Sequence, residues 1–182
     1  MEEIRSVTPS YAGISYDRIE KNGISWPCPT EDHSGTPILH VGNFTRGKGL
    51  FFAIDHRPSA ENPDGEYPFI LTTGRVLEHY HTGTMTRQGT GLNRLYPELL
   101  AEINSKDAEK IGVTDGDYVT ITSRRGSIKV KAWLNGRPGP GTVFVPFHFH
   151  EAAANILTNC ALDPVAKIPE LKVCAVKVEK VS

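Results

Sequence analysis

Three groups of residues carry types and spacings that could do chemistry. The first is Thr72-Thr73-Gly74-Arg75-Val76-Leu77-Glu78-His79-Tyr80-His81-Thr82-Gly83. A glycine at the end of a β-rich run lets backbone N–H groups approach a phosphate, and the guanidinium of Arg75 can clamp it with two parallel hydrogen bonds. The same residues also read as a tight turn followed by an ordinary surface arginine. The second group is the histidines. His79 with His81, and His148 with His150, each share a face wherever the chain is extended. Four imidazoles could bind zinc or iron, or could line a cofactor and form hydrogen bonds. A metal set would also want a carboxylate and outer-shell acceptors that the sequence does not locate. The third group is the tail from Asn155 to Lys172. Asn155 and Asp163 could read the polar edge of a base or pterin, and Lys172 could hold a phosphate. Equally, Asn155 could cap a turn and Lys172 could be a solvated charge.

Other chemistries find less support. Arg46-Gly47-Lys48-Gly49 lacks the spacing of a P-loop, and no nucleophile elbow accompanies any Ser/His/Asp or Cys/His combination. Cys28, Cys160 and Cys174 stand alone, with no C-x-x-C spacing for zinc, an iron-sulfur cluster or a redox disulfide. Twenty Lys and Arg against 21 Asp and Glu leave a net charge of -1, so no footprint for nucleic acid or an anionic membrane appears. Apolar runs such as Phe69-Ile70-Leu71 fall far short of the roughly 20 residues of a membrane helix. The charged start Met1-Glu2-Glu3-Ile4-Arg5 has no apolar signal region. The expected compartment is the cytoplasm, an export signal on a longer parent chain being left open.

The elements that must position these residues are mostly strands. Residues 1–65 carry breakers at Pro27, Pro29, Pro37, Pro58 and Pro63 and read as an extended lead-in. Within it, Phe51–Ile54 is expected as a short strand, and Trp26-Pro27-Cys28-Pro29 as a turn pinned by an aromatic. A domain follows over 66–182. Pro68–Thr73 is a strand halted by Gly74. Asn104 caps a helix over Ser105–Ile111, with Asp107 in its first turn and Gly112 as its stop. Val119 and Ile121, then Ile128, Val130 and Ala132, alternate with polar residues on either side of Arg124-Arg125-Gly126, which is the pattern of a hairpin. Thr142–Val145 and Cys174–Val181 complete the strands. Many short strands with few short helices, and no internal repeat, point to a mainly β barrel or sandwich with helical decoration.

Tyr67-Pro68 through Arg75, His79 to Arg87, Asp107-Ala108, Gly116-Asp117, Ser123-Arg124-Arg125-Gly126 and Asn155 through Lys172, taken together and in this order, resemble the C-terminal region of the molybdopterin oxidoreductases. That family includes formate dehydrogenases and nitrate reductases. The resemblance implies a six-stranded double-psi β-barrel closing over a bis(molybdopterin guanine dinucleotide) that carries molybdenum or tungsten. It implies cofactor contacts from Thr72, Thr73, Gly74, Arg75, Val76, Leu77, His79, His81, Thr82, Phe147, Asn155 and Lys172. It places no catalytic residue and no metal ligand on this chain. The metal-binding Cys or selenocysteine, the catalytic His and Arg and the iron-sulfur cysteines of the family belong to other domains or subunits, which would be its partners. Trp26–Pro29, Gly35–His40, Phe44–Gly49 and Phe147-His148-Phe149-His150 with Ala154-Asn155 resemble formate dehydrogenases in particular. The alternatives are the same portion of a nitrate reductase and a stand-alone histidine-metal barrel.

Overall fold

The structure is a computed structural model that describes residues 1–44 and 46–181; Thr45, part of the Phe44–Gly49 motif, lies outside the described residues. The chain falls into two compact units, Met1–Asp55 and His56–Ser182.

In the first unit the prolines leave room only for the short helices α1 (Glu2–Val7) and α2 (Tyr16–Ile19). Ser15 caps α2 by accepting from the Arg18 amide. The fully buried Cys28 exchanges backbone bonds with Ser10 and Gly13. Arg18 closes the same knot by donating to the carbonyls of Gly13 and His33. Trp26 pins the turn as expected, donating its indole N–H to the Ser10 hydroxyl at 3.0 Å. The strand expected over Phe51–Ile54 does not form. Its apolar run has no neighbouring strand to pair with, and Phe51 is 97 % exposed.

The second unit is a closed barrel of six strands, β1 (Phe69–Gly74), β2 (Leu100–Asn104), β3 (Tyr118–Thr122), β4 (Ser127–Asn135), β5 (Thr142–Pro146) and β6 (Cys174–Lys180), in the order β1-β5-β2-β4-β3-β6. Two helices decorate it, α3 (Thr90–Leu95) and α4 (Ser105–Lys110). Alternation drives closure. Leu71, Ile103, Val119, Ile121, Val143, Val145 and Val176 are sealed inside, while Lys129 and Lys131 point outward from the β3–β4 hairpin as their pattern requires. Asn104 caps α4 by accepting from the Lys106 amide at 3.1 Å. Gly112 stops it at φ +67°.

Two pairs are parallel, β1 with β5 and β2 with β4, and the remaining neighbours are antiparallel. Adding three to each strand number returns the same cyclic order with the same parallel and antiparallel neighbours. The barrel is therefore two interlocked three-stranded halves, the double-psi arrangement, although the two halves share no visible sequence repeat. It follows that β1, β3 and β5 all run one way and β2, β4 and β6 the other.

Candidate functional site

That polarity decides where the chemistry-bearing loops go. The C-terminal ends of β1, β3 and β5 meet the N-terminal ends of β2, β4 and β6 at one end of the barrel, so residues 75–99, 123–126 and 147–173 all emerge there. All three groups singled out from the sequence lie at this end, the first beginning in the last residues of β1.

At the residue scale the site begins where β1 leaves the barrel. Thr73 is buried, donates its hydroxyl to the Leu171 carbonyl at 2.7 Å, and accepts at its own carbonyl from the Lys172 ammonium at 2.6 Å. The tail segment is thereby stitched to the strand end. Gly74 completes β1 instead of halting it, and the reason for a glycine is packing. A Cβ there would lie 2.4 Å from the ring of Phe144. The parallel pairing of β1 with β5 continues one step further, with the Phe147 amide donating to the Gly74 carbonyl at 3.2 Å. This sets Arg75 beside Phe147, its guanidinium carbon 5.9 Å from the ring centroid. Arg75 is exposed and forms no ion pair among the described residues.

The loop after Arg75 is braced from below by two buried histidines. The Val76 amide donates to His148 Nε2 at 2.9 Å, and His148 Nδ1 meets the His81 carbonyl. His79 Nε2 donates to the Tyr96 carbonyl at 2.7 Å, while its Nδ1 lies 3.2 Å from the Thr86 hydroxyl, which in turn accepts from the Tyr80 amide. Both nitrogens of both rings are thus spent on the protein. Burial, opposed by the His81 carbonyl, holds the His148 imidazole below its ordinary pKa and keeps it neutral. The H-x-H pairs do not act as pairs. His79 and His148 are interior, whereas His81 is exposed at φ +51° and His150 is exposed at the start of a 3-10 turn. Neither backbone is extended there, so residues two apart do not share a face. Among the described residues no three His, Cys, Asp or Glu side chains come together as a metal set.

Two further ties hold the outer loops. Arg87 makes a two-pronged ion pair with Glu151, both bonds 2.7 Å, and lies 4.6 Å from the centroid of Phe149. The guanidinium drives the Glu151 carboxyl down to about 2. Arg125, at the β3–β4 turn, donates to the Leu157 carbonyl and to Glu61. Beside this end, an open cleft of about 850 Å³ runs down the barrel wall. Its floor is the row Thr72, Phe144, Glu102 and Trp133 across four neighbouring strands, and Arg75, Leu77, Tyr96 and Arg137 stand around it.

A family described as the molydopterin dinucleotide binding domain matches residues 69–175, from the first strand of the barrel to the last. The chain belongs to this family. Among curated relatives, the F420-dependent formate dehydrogenase subunit alpha of Methanocaldococcus jannaschii is 53 % identical over 181 residues, covering 98 % of this chain and 27 % of the relative. A nitrate reductase of Symbiobacterium thermophilum is 39 % identical over 202 residues, with 98 % and 27 % covered. This chain therefore spans about a quarter of the length of the relatives it matches. Among solved structures, acetylene hydratase from Pelobacter acetylenicus aligns with a TM-score of 0.55 at 20 % identity, over 63 % of this chain and 18 % of that one, a likeness of fold.

For this member of the family, the structure gathers Thr72 to Thr82, Phe147 and Lys172 around one strand end. Thr82 is exposed and shares a 3.0 Å bond with Thr84, and Leu77 is 97 % exposed. Asn155 is at the same end but stands apart. It is exposed in a 3-10 turn whose Ile156 packs on Gly126, on the β3–β4 side. Residue types and spacing had not singled out the bracing role of His148, nor the ties made by Glu151 and Arg125. Their partners lie tens of residues away, and only the strand order brings them near. Nothing local announced the burial of His148, which is out of phase with the inward residues Val143 and Val145 of the strand before it.

Proposed function

We propose that this chain is the cofactor-holding C-terminal portion of a molybdenum- or tungsten-dependent formate dehydrogenase. In this reading the loop end of the barrel grips a bis(molybdopterin guanine dinucleotide) together with further domains or subunits. Those partners carry the iron-sulfur cluster and the metal ligand, and the assembly is cytoplasmic. Residues 1–65 lead in from a preceding domain. When bound, the cofactor supplies the two-electron chemistry that turns formate into carbon dioxide.

The observation that carries the reading is Arg75. A rigid strand end presents an exposed guanidinium, steadied over Phe147 and in no ion pair among the described residues, with the Lys172 ammonium tied to the carbonyl two residues before it. The ammonium has donors to spare beyond that bond. Two cations held by backbone and aromatic contacts, not by acids, fit an anionic pyrophosphate-bearing ligand. The cleft alongside is of ordinary size for a small-molecule site. Thr73, Val76, His79 and His148 shape the loop, while Arg75, Leu77, His81, Thr82, Phe147 and Lys172 face outward to meet the ligand. Asn155 meets it from the β3–β4 side. Formate in place of nitrate rests on the higher identity to the formate dehydrogenase subunit.

The test is formate-dependent reduction of a viologen dye by the native assembly, captured from source cells with an antibody against this chain. Dye reduction on adding formate is expected. Silence towards formate, with reduced dye consumed on adding nitrate, would move the assignment to a nitrate reductase.

A further inference from the structure

We propose that His148 is the positioning residue of the Arg75 loop, its imidazole wedged beneath the loop and tying the first residue, Val76, to the last, His81. The proposal rests on the reading that this loop holds the cofactor. It deepens that reading by naming what holds the loop.

The geometry begins in the barrel. β5 pairs in parallel with β1 as far as Gly74 opposite Pro146, and the Phe147 amide extends the ladder to the Gly74 carbonyl. Past the end of β5 the strand alternation is broken: Phe147 lies beside Arg75, and His148 is buried beneath Val76. His148 is 1 % exposed, so its ring cannot turn away to water. Nε2 accepts from the Val76 amide, which puts the ring proton on Nδ1, where the His81 carbonyl takes it. One tautomer of the neutral ring satisfies both ends, and the cationic ring satisfies only one. Protonation would point an N–H at the Val76 N–H and leave that amide buried without an acceptor.

The backbone at His81 adds a second reason for a clamp. His81 sits at φ +51°, in the left-handed region that favours glycine, and the bond at its carbonyl helps hold it there. Gly83 follows at φ +76°, and a Cβ there would come within 2.7 Å of the His148 carbonyl, so the loop turns directly against this residue. The groups facing the His148 ring are His79 (ring centroids 5.9 Å apart), Arg75 and His81 from the loop, and Phe147 and Phe149 from its own segment. No carboxylate is among them to stabilise a cation. The loop therefore stays clamped through neutral pH and is released only below the ordinary histidine range near 6.5.

The experiment uses the complete assembly carrying His148→Phe, which keeps a ring in the cavity and removes both bonds, and His148→Gln, whose amide can accept and donate as the imidazole does. Hydrogen exchange at the Val76 amide and cofactor retained per chain after gel filtration are measured at neutral and mildly acidic pH. Wild type is expected to be protected at neutral pH and to lose protection in acid. His148→Phe exchanges about tenfold or more faster than wild type at neutral pH, as expected for the loss of one or two such bonds, shows no acid step of its own, and sheds cofactor. His148→Gln stays protected without the acid step. Unchanged Val76 exchange in His148→Phe would overturn the proposal, as would an acid step that survives in His148→Gln. Faster exchange in His148→Phe with cofactor fully retained would leave the clamp standing and remove this loop from the cofactor site.

Discussion

The residues that matter most were readable in proportion to how local their reasons are. Arg75 after a strand and a glycine was visible, because strand, glycine and cation are contiguous. The reason for Gly74 was not. It is the ring of Phe144, which belongs to a neighbouring strand seventy positions away. The histidine spacings suggested shared faces, but a shared face needs an extended chain, and neither His81 nor His150 has one. Acid titration gives a test at this scale. The bidentate contact with Arg87 holds the Glu151 carboxyl at about 2 in the fold, against 4.5 for an unperturbed glutamate. A depressed carboxyl contributes stability that is present above about 4.5 and is lost as pH falls towards 2. Glu151→Gln should therefore be less stable than wild type at pH 6, with the difference closing as both are acidified through that window in a denaturant titration. A gap that stays constant from pH 6 to 2 would show that the pair is not coupled to folding.

At the scale of elements, the alternating strands β3, β4, β5 and β6 were legible because their patterns are clean. The strand β2 was not. Leu-Ala-Glu-Ile-Asn contains three weak strand formers, and Glu102 occupies an outward position that is nonetheless buried under Asn135 and Arg137. Sheet context overrides propensity there, since β2 is paired on both edges. The same scale explains why residues 56–65 pack with the barrel. Glu61, its side chain 14 % exposed, accepts from Arg125 and from the Ala175 amide at the start of β6 and pairs with Arg124; Asp64 pairs with Arg124 as well. Arg125 passes the connection on to the Leu157 carbonyl, so one carboxylate ties the entering chain, the β3–β4 turn and the 147–173 loop. Glu61→Gln should cost about 1–3 kcal/mol, because two guanidinium groups lose their partly buried partner charge. Chemical denaturation would check it, together with new proteolytic cuts within 56–65. A change below about 0.5 kcal/mol with no new cuts would mean the network is only a surface decoration.

At the scale of the whole molecule, the barrel was foreseen as a class, and its strand order was not, since the two interlocked halves have no sequence repeat to announce them. Yet it is the order that makes the site. Because odd and even strands run in opposite directions, three loops distant in sequence converge on one end, and Lys172 is bonded there to the Thr73 carbonyl, two residues before Arg75. The chain spans about a quarter of the relatives it matches, and the proposed gripping of cofactor between this end and other domains is a statement about the assembly. Its most direct test is cofactor content of the purified full-length assembly carrying Arg75→Ala, read as oxidised pterin and as molybdenum or tungsten per chain. Losing a charge-assisted contact of about 1.5–3 kcal/mol should weaken retention roughly ten- to a hundredfold. The expected variant is largely cofactor-free, with a barrel that unfolds at the wild-type denaturant midpoint. Pterin and metal at wild-type levels in that variant would contradict the proposed grip.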